Sequence, residues 1–198
     1  MKAIIFFTRA PISGKTKTRM QPYLSPDECA ILHKAMIKDI YKECSKTPAD
    51  IFVYYTPLEG LERLQKIIGT KHAYKLQNGD NLGEKMYNAI AEVLDLGYES
   101  CILIGSDIAE LRKEHINRAF DKLENADIVF GKTVDGGYYL VGMKKAVKEV
   151  FEVEKYGNSD VFANTLKKLS NLGLKIAYTK TLYDIDTKDD LALHRKRL

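Results

Sequence analysis

No run of apolar residues in this chain is long enough to span a bilayer, which excludes a membrane-spanning helix. The N-terminus has no basic segment followed by a long apolar one, so no secretory leader is expected. Cysteine is scarce, at three residues, Cys29, Cys44 and Cys101. Cys29 and Cys44 fall on one expected helix, where the helical rise holds them about 22 Å apart, beyond disulfide reach. An odd count without close spacing excludes a disulfide framework and a zinc site, and points to a reducing, cytoplasmic compartment. The four histidines, His33, His72, His115 and His194, are scattered, and each reads as a surface residue rather than a ligand. Charge is nearly balanced: a net +4 suits anionic small molecules but gives no footprint for nucleic acid. No linker, repeat or low-complexity segment interrupts the 198 residues, so residues 1–198 are expected to form a single domain.

What is present is a regular alternation of strand and helix patterns. Ala3–Phe7 reads as a buried first strand. Ser25-Pro26-Asp27-Glu28 starts a helix with a capping box, expected to run to about Ser45 with Ile31, Ala35, Ile37 and Ile40 on its apolar face. Strands are expected at 51–55, 101–104, 127–130, 138–143 and 175–178. Helices are expected near 61–68, 82–96, 114–123 and 160–169, and from about Lys188. This alternation implies an α/β fold with a mostly parallel sheet covered on both faces, whose ligands sit at the carboxyl ends of the strands.

The segment behind the first strand is basic: Arg9-Ala10-Pro11-Ile12-Ser13-Gly14-Lys15-Thr16-Lys17-Thr18-Arg19. A Gly-containing loop there can aim backbone N–H groups at phosphates while Lys and Arg offset the charge. It is not a P-loop, because Arg9 stands where that signature needs Gly. The alternative is a solvated basic turn.

Three further segments carry polar groups at strand ends. Asp107, in Gly105-Ser106-Asp107, would project into the ligand crevice, where a carboxylate beside phosphates makes sense through a divalent cation; otherwise it caps the next helix. Asp135-Gly136-Gly137-Tyr138-Tyr139 either lets the backbone approach a ligand or is a tight turn into a strand, and by alternation only one of the two tyrosines should face the site. In Asp184-Ile185-Asp186-Thr187-Lys188-Asp189-Asp190, the Thr187–Asp190 pair reads as a helix start. That leaves Asp184 or Asp186 to supply a second metal carboxylate. Gln77-Asn78-Gly79-Asp80-Asn81-Leu82-Gly83 is a polar loop able to meet a nucleobase edge, or simply a loop.

Together, in this order, these segments resemble the GT-A-fold nucleotide-diphospho-sugar transferase superfamily. Within it they resemble the glycosyltransferase-like, radical-SAM/selenodomain-associated transferases. The shared motifs are Arg9-Ala10-Pro11 through Lys17-Thr18-Arg19-Met20, Leu82-Gly83-Glu84-Lys85-Met86, Gly105-Ser106-Asp107, Asp135-Gly136-Gly137-Tyr138-Tyr139 and Asp184-Ile185-Asp186-Thr187. The resemblance implies a GT-A, Rossmann-like three-layer sandwich. It implies catalytic roles for Lys17, Arg19 and Asp107, and metal binding (magnesium or manganese) by Asp107 and Asp186. Nucleotide contacts are implied for Arg9, Pro11, Gly14, Lys15, Gln77 and Gly83, and acceptor contacts for Asp135, Gly136, Gly137 and Tyr138. The chain departs from the group's pattern at Ile108-Ala109, at Lys132 and at Tyr156-Gly157-Asn158, and it contains no Trp. The expected partners are a nucleoside triphosphate or nucleotide sugar and a small-molecule acceptor, with no nucleic acid and no membrane. The expected activity is metal-dependent nucleotidyl transfer to a phosphorylated acceptor. Glycosyl transfer and non-catalytic nucleotide binding are the alternatives.

Overall fold

A computed structural model of the chain describes residues 1–153, 156 and 160–195. Its elements alternate along the chain as β1 (Lys2–Arg9), α1 (Pro26–Cys44), β2 (Asp50–Thr56), α2 (Leu61–Ile68), β3 (Ala73–Leu76), α3 (Leu82–Asp95), β4 (Ser100–Ile104), α4 (Lys113–Leu123), β5 (Ile128–Lys132), β6 (Tyr138–Met143), α5 (Val161–Leu169), β7 (Ile176–Tyr178) and α6 (Lys188–Arg195). Among the described residues the strands form one seven-stranded sheet in the order β3-β2-β1-β4-β6-β5-β7. All pairings are parallel except those of β6, which runs against both β4 and β5. Gly157 and Asn158 of the departing segment lie outside the described residues.

The hydrophobic pattern dictates the layers. Ala3 to Phe6 are fully buried on a central strand, so both sheet faces must be covered. Ile4 and Phe6 pack with Cys29 and Ile37 of α1, Leu64 of α2 and Ile116 of α4. Ala3, Ile5 and Phe7 face the other way, onto Met86 and Ile90 of α3, with Leu169 of α5 in the same cluster. The result is the expected three-layer α/β sandwich. Among the described residues no helix is long and apolar enough to cross a membrane.

The start of α1 follows its sequence. The Ser25 hydroxyl accepts from the Glu28 N–H at 3.2 Å, and Glu28 accepts from the Ser25 N–H at 2.8 Å. Such a cap contributes about 1 kcal/mol. The buried stripe differs from the expected one. It runs Cys29, His33, Met36, Ile37, Ile40, Cys44, while Ile31 is 66% exposed and Ala35 is also exposed. The 3.6-residue period is satisfied by either stripe, and packing on β1 selects the one that buries His33. The expectation of four surface histidines is therefore corrected at His33. Cys29 and Cys44 do share α1, and all three thiols are buried and free.

Two topological features were not anticipated. β3 is a four-residue edge strand of half-exposed side chains, held by β2 alone, so its sequence lacks a buried-strand pattern. β6 is antiparallel because the turn at Asp135-Gly136-Gly137 folds the chain straight back onto β5. The Thr133 N–H bonds the Gly137 carbonyl at 3.0 Å, and Gly136 sits at φ 94°, which glycine adopts freely. β6 therefore begins at the end of the sheet where its neighbours β4 and β5 finish.

Candidate functional site

At that end of the sheet a cleft of about 610 Å³ opens above the carboxyl termini of β1 and β4. Arg9, Lys15, Lys17 and Arg19 of the basic loop form one wall, and Asp107, Asp186, Gln77 and Tyr138 complete it. The structure thus brings together residues spread from position 9 to position 186.

Lys17 lies at the centre. Its side chain is only 4% exposed, and its ammonium sits 2.6 Å from Asp107 and 3.0 Å from Asp186 while donating to the Ile185 carbonyl. Its backbone is in the left-handed region at φ 48°, uncommon outside glycine, and that conformation costs about 1–2 kcal/mol. The ion pairs and the carbonyl contact hold it there. Burial opposes the charge, but Asp107 and Asp186 outweigh it, so the Lys17 pKa is raised and the ammonium persists. Asp186 also takes a 3.2 Å contact from Arg19, whose side chain is mostly exposed. Arg9 is exposed and, among the described residues, has no carboxylate partner. Two exposed cations therefore line the open cleft above a buried, ion-paired ammonium. Lys15 is tied to Glu59 at 2.9 Å.

Each element positions its side chain for a local reason. Asp107 does not cap a helix, since α4 begins only after Arg112. Its carbonyl instead accepts from the Ile185 N–H at 3.0 Å, which docks the segment before α6 against the end of β4. The Asp190 carboxylate accepts from the Thr187 N–H at 2.7 Å and the Asp186 N–H at 3.1 Å, so the expected helix start also orients Asp186. The Thr8 hydroxyl donates to Ser106 at 2.9 Å, linking the ends of β1 and β4. Gln77 donates to the carbonyls of Thr8 (2.9 Å) and Tyr54 (3.2 Å), which fixes its amide at the cleft edge.

A second cavity, of about 200 Å³, adjoins the first and shares Gly105, Asp107, Tyr138 and Tyr139 with it. Asp135, Gly137, Tyr156 and Asp184 complete its wall. Burial, with Asp135 and Asp186 nearby, pushes the Asp184 carboxyl up to about 7. Tyr138 and Tyr139 diverge as alternation requires. Tyr138 packs on Phe130 with ring centroids 5.4 Å apart, while the Tyr139 hydroxyl is held on the other face by Thr179 (3.1 Å) and the Lys180 carbonyl (3.0 Å). Both rings reach the cleft because they open β6.

Pro11, Gly14, Gly83 and Gly136 line neither cavity. Gly14 and Gly136 turn the chain at φ 76° and 94°. Gly83 is buried against the Phe151 carbonyl, 2.1 Å from where a Cβ would stand, so packing accounts for it.

His33 was missed as a site residue. It is 3% exposed, its Nε2 lies 3.0 Å from the Arg9 carbonyl, and its Nδ1 lies 3.8 Å from Asp107. Burial lowers its pKa, so the ring is neutral at pH 7. Its place on the stripe with Cys29, Met36 and Ile37 was the available signal.

Asp107 and Asp186 lie within reach of one ammonium and keep partial exposure, 44% and 32%. Magnesium is commonly held by one or two carboxylates plus phosphate oxygens, so this donor set fits it. Among the described residues no group of three or more His, Cys, Asp or Glu side chains is placed to hold a metal ion.

Known proteins resemble this chain in sequence and in fold. The chain is 28% identical over 192 residues to a 2-phospho-L-lactate guanylyltransferase of Methanocaldococcus vulcanius, covering 95% of this chain and 82% of the relative. It superposes with a TM-score of 0.92 and 31% identity on a crystal structure from Desulfovibrio desulfuricans G20 assigned by name to the nucleotide-diphospho-sugar transferases, covering 99% of this chain and 87% of that one. CMP:2-keto-3-deoxy-manno-octonic acid synthetase complexed with CTP shares the fold alone, at a TM-score of 0.61 and 14% identity over the whole of both chains. Residues 40–158, which include Gln77, Asp107 and the Asp135-Gly136-Gly137 turn, match the family described as "Uncharacterized protein conserved in bacteria (DUF2064)", and the chain belongs to that family.

Proposed function

We propose that this protein is a nucleotidyltransferase that moves a nucleotidyl group from a nucleoside triphosphate to a phosphorylated small-molecule acceptor. The observation that carries the reading is the Lys17 ammonium buried between Asp107 and Asp186, beside the exposed Arg9 and Arg19 at the wall of the cleft. The 28% identity to a guanylyltransferase along nearly the whole chain supports it.

In this reading Arg9, Lys15 and Arg19 bind the triphosphate, and Lys17 offsets charge that develops on the phosphoryl oxygens. Gln77 sits at the edge where the base enters, and Asp135, Gly137 and Tyr138 meet the acceptor. Pro11, Gly14, Gly83 and Gly136 shape the backbone of these loops from behind. Asp107 and Asp186 would hold magnesium or manganese, which when bound supplies charge stabilisation to the phosphates. His33 holds the Arg9 carbonyl, and with it the entry to the phosphate loop. The cleft orients the two reactants and excludes bulk water from the floor between them.

The reading treats residues 1–198 as a single GT-A-like domain, supported by the one sheet that runs through it. A cytoplasmic location is supported by three free, buried thiols. The finer kinship to the radical-SAM/selenodomain-associated transferases is supported by the loop and strand-end motifs. A second reading, glycosyl transfer from a nucleotide sugar, is favoured by the name given to the 31% identical Desulfovibrio protein.

The test is a thermal-shift screen of ATP, GTP, CTP, UTP and nucleotide sugars, with and without magnesium or manganese. A ligand that binds only the folded state raises Tm. Metal-dependent stabilisation by a triphosphate is expected. Stabilisation by a nucleotide sugar but not by its triphosphate would favour the second reading instead.

A further inference from the structure

We propose that the acceptor carries a cationic amine a few bonds from its phosphate, making it a zwitterionic phosphorylated or phosphonylated amine rather than a phosphorylated carboxylic acid. This inference rests on the nucleotidyl-transfer reading above. The juxtaposition of two cavities of opposite character carries it.

The larger cleft is lined by Arg9, Lys15, Lys17 and Arg19. The smaller cavity beside it is lined by Asp135 and Asp184 and by the rings of Tyr138 and Tyr156, with no Lys or Arg among the described residues. An acceptor carboxylate placed there would meet acidic groups and, among the described residues that line the cavity, no cation, which disfavours it. An ammonium would pair with these acidic groups and lie beside the rings of Tyr138 and Tyr156, and aromatic rings attract cations through their quadrupole. The volume of about 200 Å³ is below that of a drug-sized pocket, so it suits a small headgroup and not a second nucleoside.

The two cavities meet at Gly105, Asp107 and Tyr138. An acceptor lying across that junction puts its amine in the acidic cavity and its phosphate or phosphonate beside the triphosphate. A deprotonated oxygen of that group attacks the α-phosphorus. A new P–O bond forms, and the bond from the α-phosphorus to the oxygen bridging the β-phosphorus breaks. That oxygen leaves with its electron pair as part of pyrophosphate. The nucleophile is already an anion, so no proton has to be removed from it.

The test uses the full-length protein with magnesium and the triphosphate that stabilises it most. Pyrophosphate release and isothermal titration are measured with phosphoethanolamine, phosphocholine, 2-aminoethylphosphonate, glycerol 3-phosphate, 3-phosphoglycerate and 2-phospho-L-lactate. At least one amine probe is expected to exceed 2-phospho-L-lactate in kcat/KM by tenfold or more. The pair Asp135→Asn with Asp184→Asn should erase that preference through KM. Equal or better use of 2-phospho-L-lactate overturns the proposal and leaves nucleotidyl transfer standing. So does failure of every amine probe to bind in the presence of the triphosphate. Absence of any triphosphate binding overturns the underlying reading, and this proposal with it. The wild-type panel decides the question even where the double variant does not fold.

Discussion

The ammonium of Lys17 lies 2.6 Å from a carboxylate oxygen of Asp107, joining the loop after β1 to the end of β4. Asp186, just before α6, completes the triad at 3.0 Å. One buried cation thus ties three distant chain segments into a single floor, and its removal has consequences for both stability and chemistry.

Lys17→Met keeps most of the unbranched side chain and deletes the charge. Asp107 then loses its ammonium partner, and Asp186 keeps only the exposed Arg19. Breaking a fully buried pair costs about 3–5 kcal/mol, and partial exposure of the two carboxylates reduces this to about 2 kcal/mol. Urea denaturation should show that loss, and pyrophosphate release should fall by about a hundredfold or more. Unchanged stability would refute the structural role assigned to the ion pairs.

Arg9→Ala and Arg19→Ala remove exposed cations that contribute little to the fold. Each should leave Tm nearly unchanged and weaken triphosphate binding by about tenfold, the scale of one charge-assisted hydrogen bond. Titration calorimetry checks this. Tight binding retained in both variants would mean the loop is a solvated turn.

Gly83→Ala separates packing from ligand contact. The new Cβ would stand 2.1 Å from the Phe151 carbonyl. Overpacking of that kind costs about 1–3 kcal/mol. Thermal denaturation should show a Tm lowered by several degrees. If instead Tm holds and nucleotide affinity alone drops, Gly83 belongs to the base site.

Stability should depend on pH in two opposing ways in metal-free buffer. The Asp184 carboxyl, raised by burial and its acidic neighbours from 3.8 to about 7, binds its proton more tightly when folded. Its contribution is present at low pH and is lost as pH rises through about 7. His33 behaves oppositely: its pKa is lowered by burial, so the unfolded chain takes a proton first as pH falls below 6.5, and stability drops with it. Asp184→Asn should flatten the alkaline-side loss, and His33→Gln the acid-side loss, in denaturation curves between pH 4 and 8. Identical pH profiles for wild type and variants would contradict both assignments.

Much of this molecule was legible in the chain. The buried run Ala3–Phe7, the capping box at Ser25 and Glu28, and the strand ending at Gly105 are local patterns with local causes, and each element formed where its pattern predicts. The acidic segment before α6 and the basic loop also announced themselves by composition. His33 did not, because the same helix period admits a stripe through Ile31 and Ala35, and only contact with β1 distinguishes the two. β3 did not either, since an edge strand paired on one side needs no buried pattern.

The sequence by itself determined the alternation of strands and helices, and hence a sheet covered on both faces with ligands at its carboxyl end. Hydrophobic periodicity and capping act over a few residues and survive without a partner. The tertiary structure alone decided that β6 runs antiparallel and delivers Tyr138 to the cleft. It alone set Lys17 between Asp107 and Asp186, and separated a cationic cleft from an acidic cavity. Those relationships are distances between residues far apart in the chain, and only the folded packing of β1, β4 and the segment before α6 sets them.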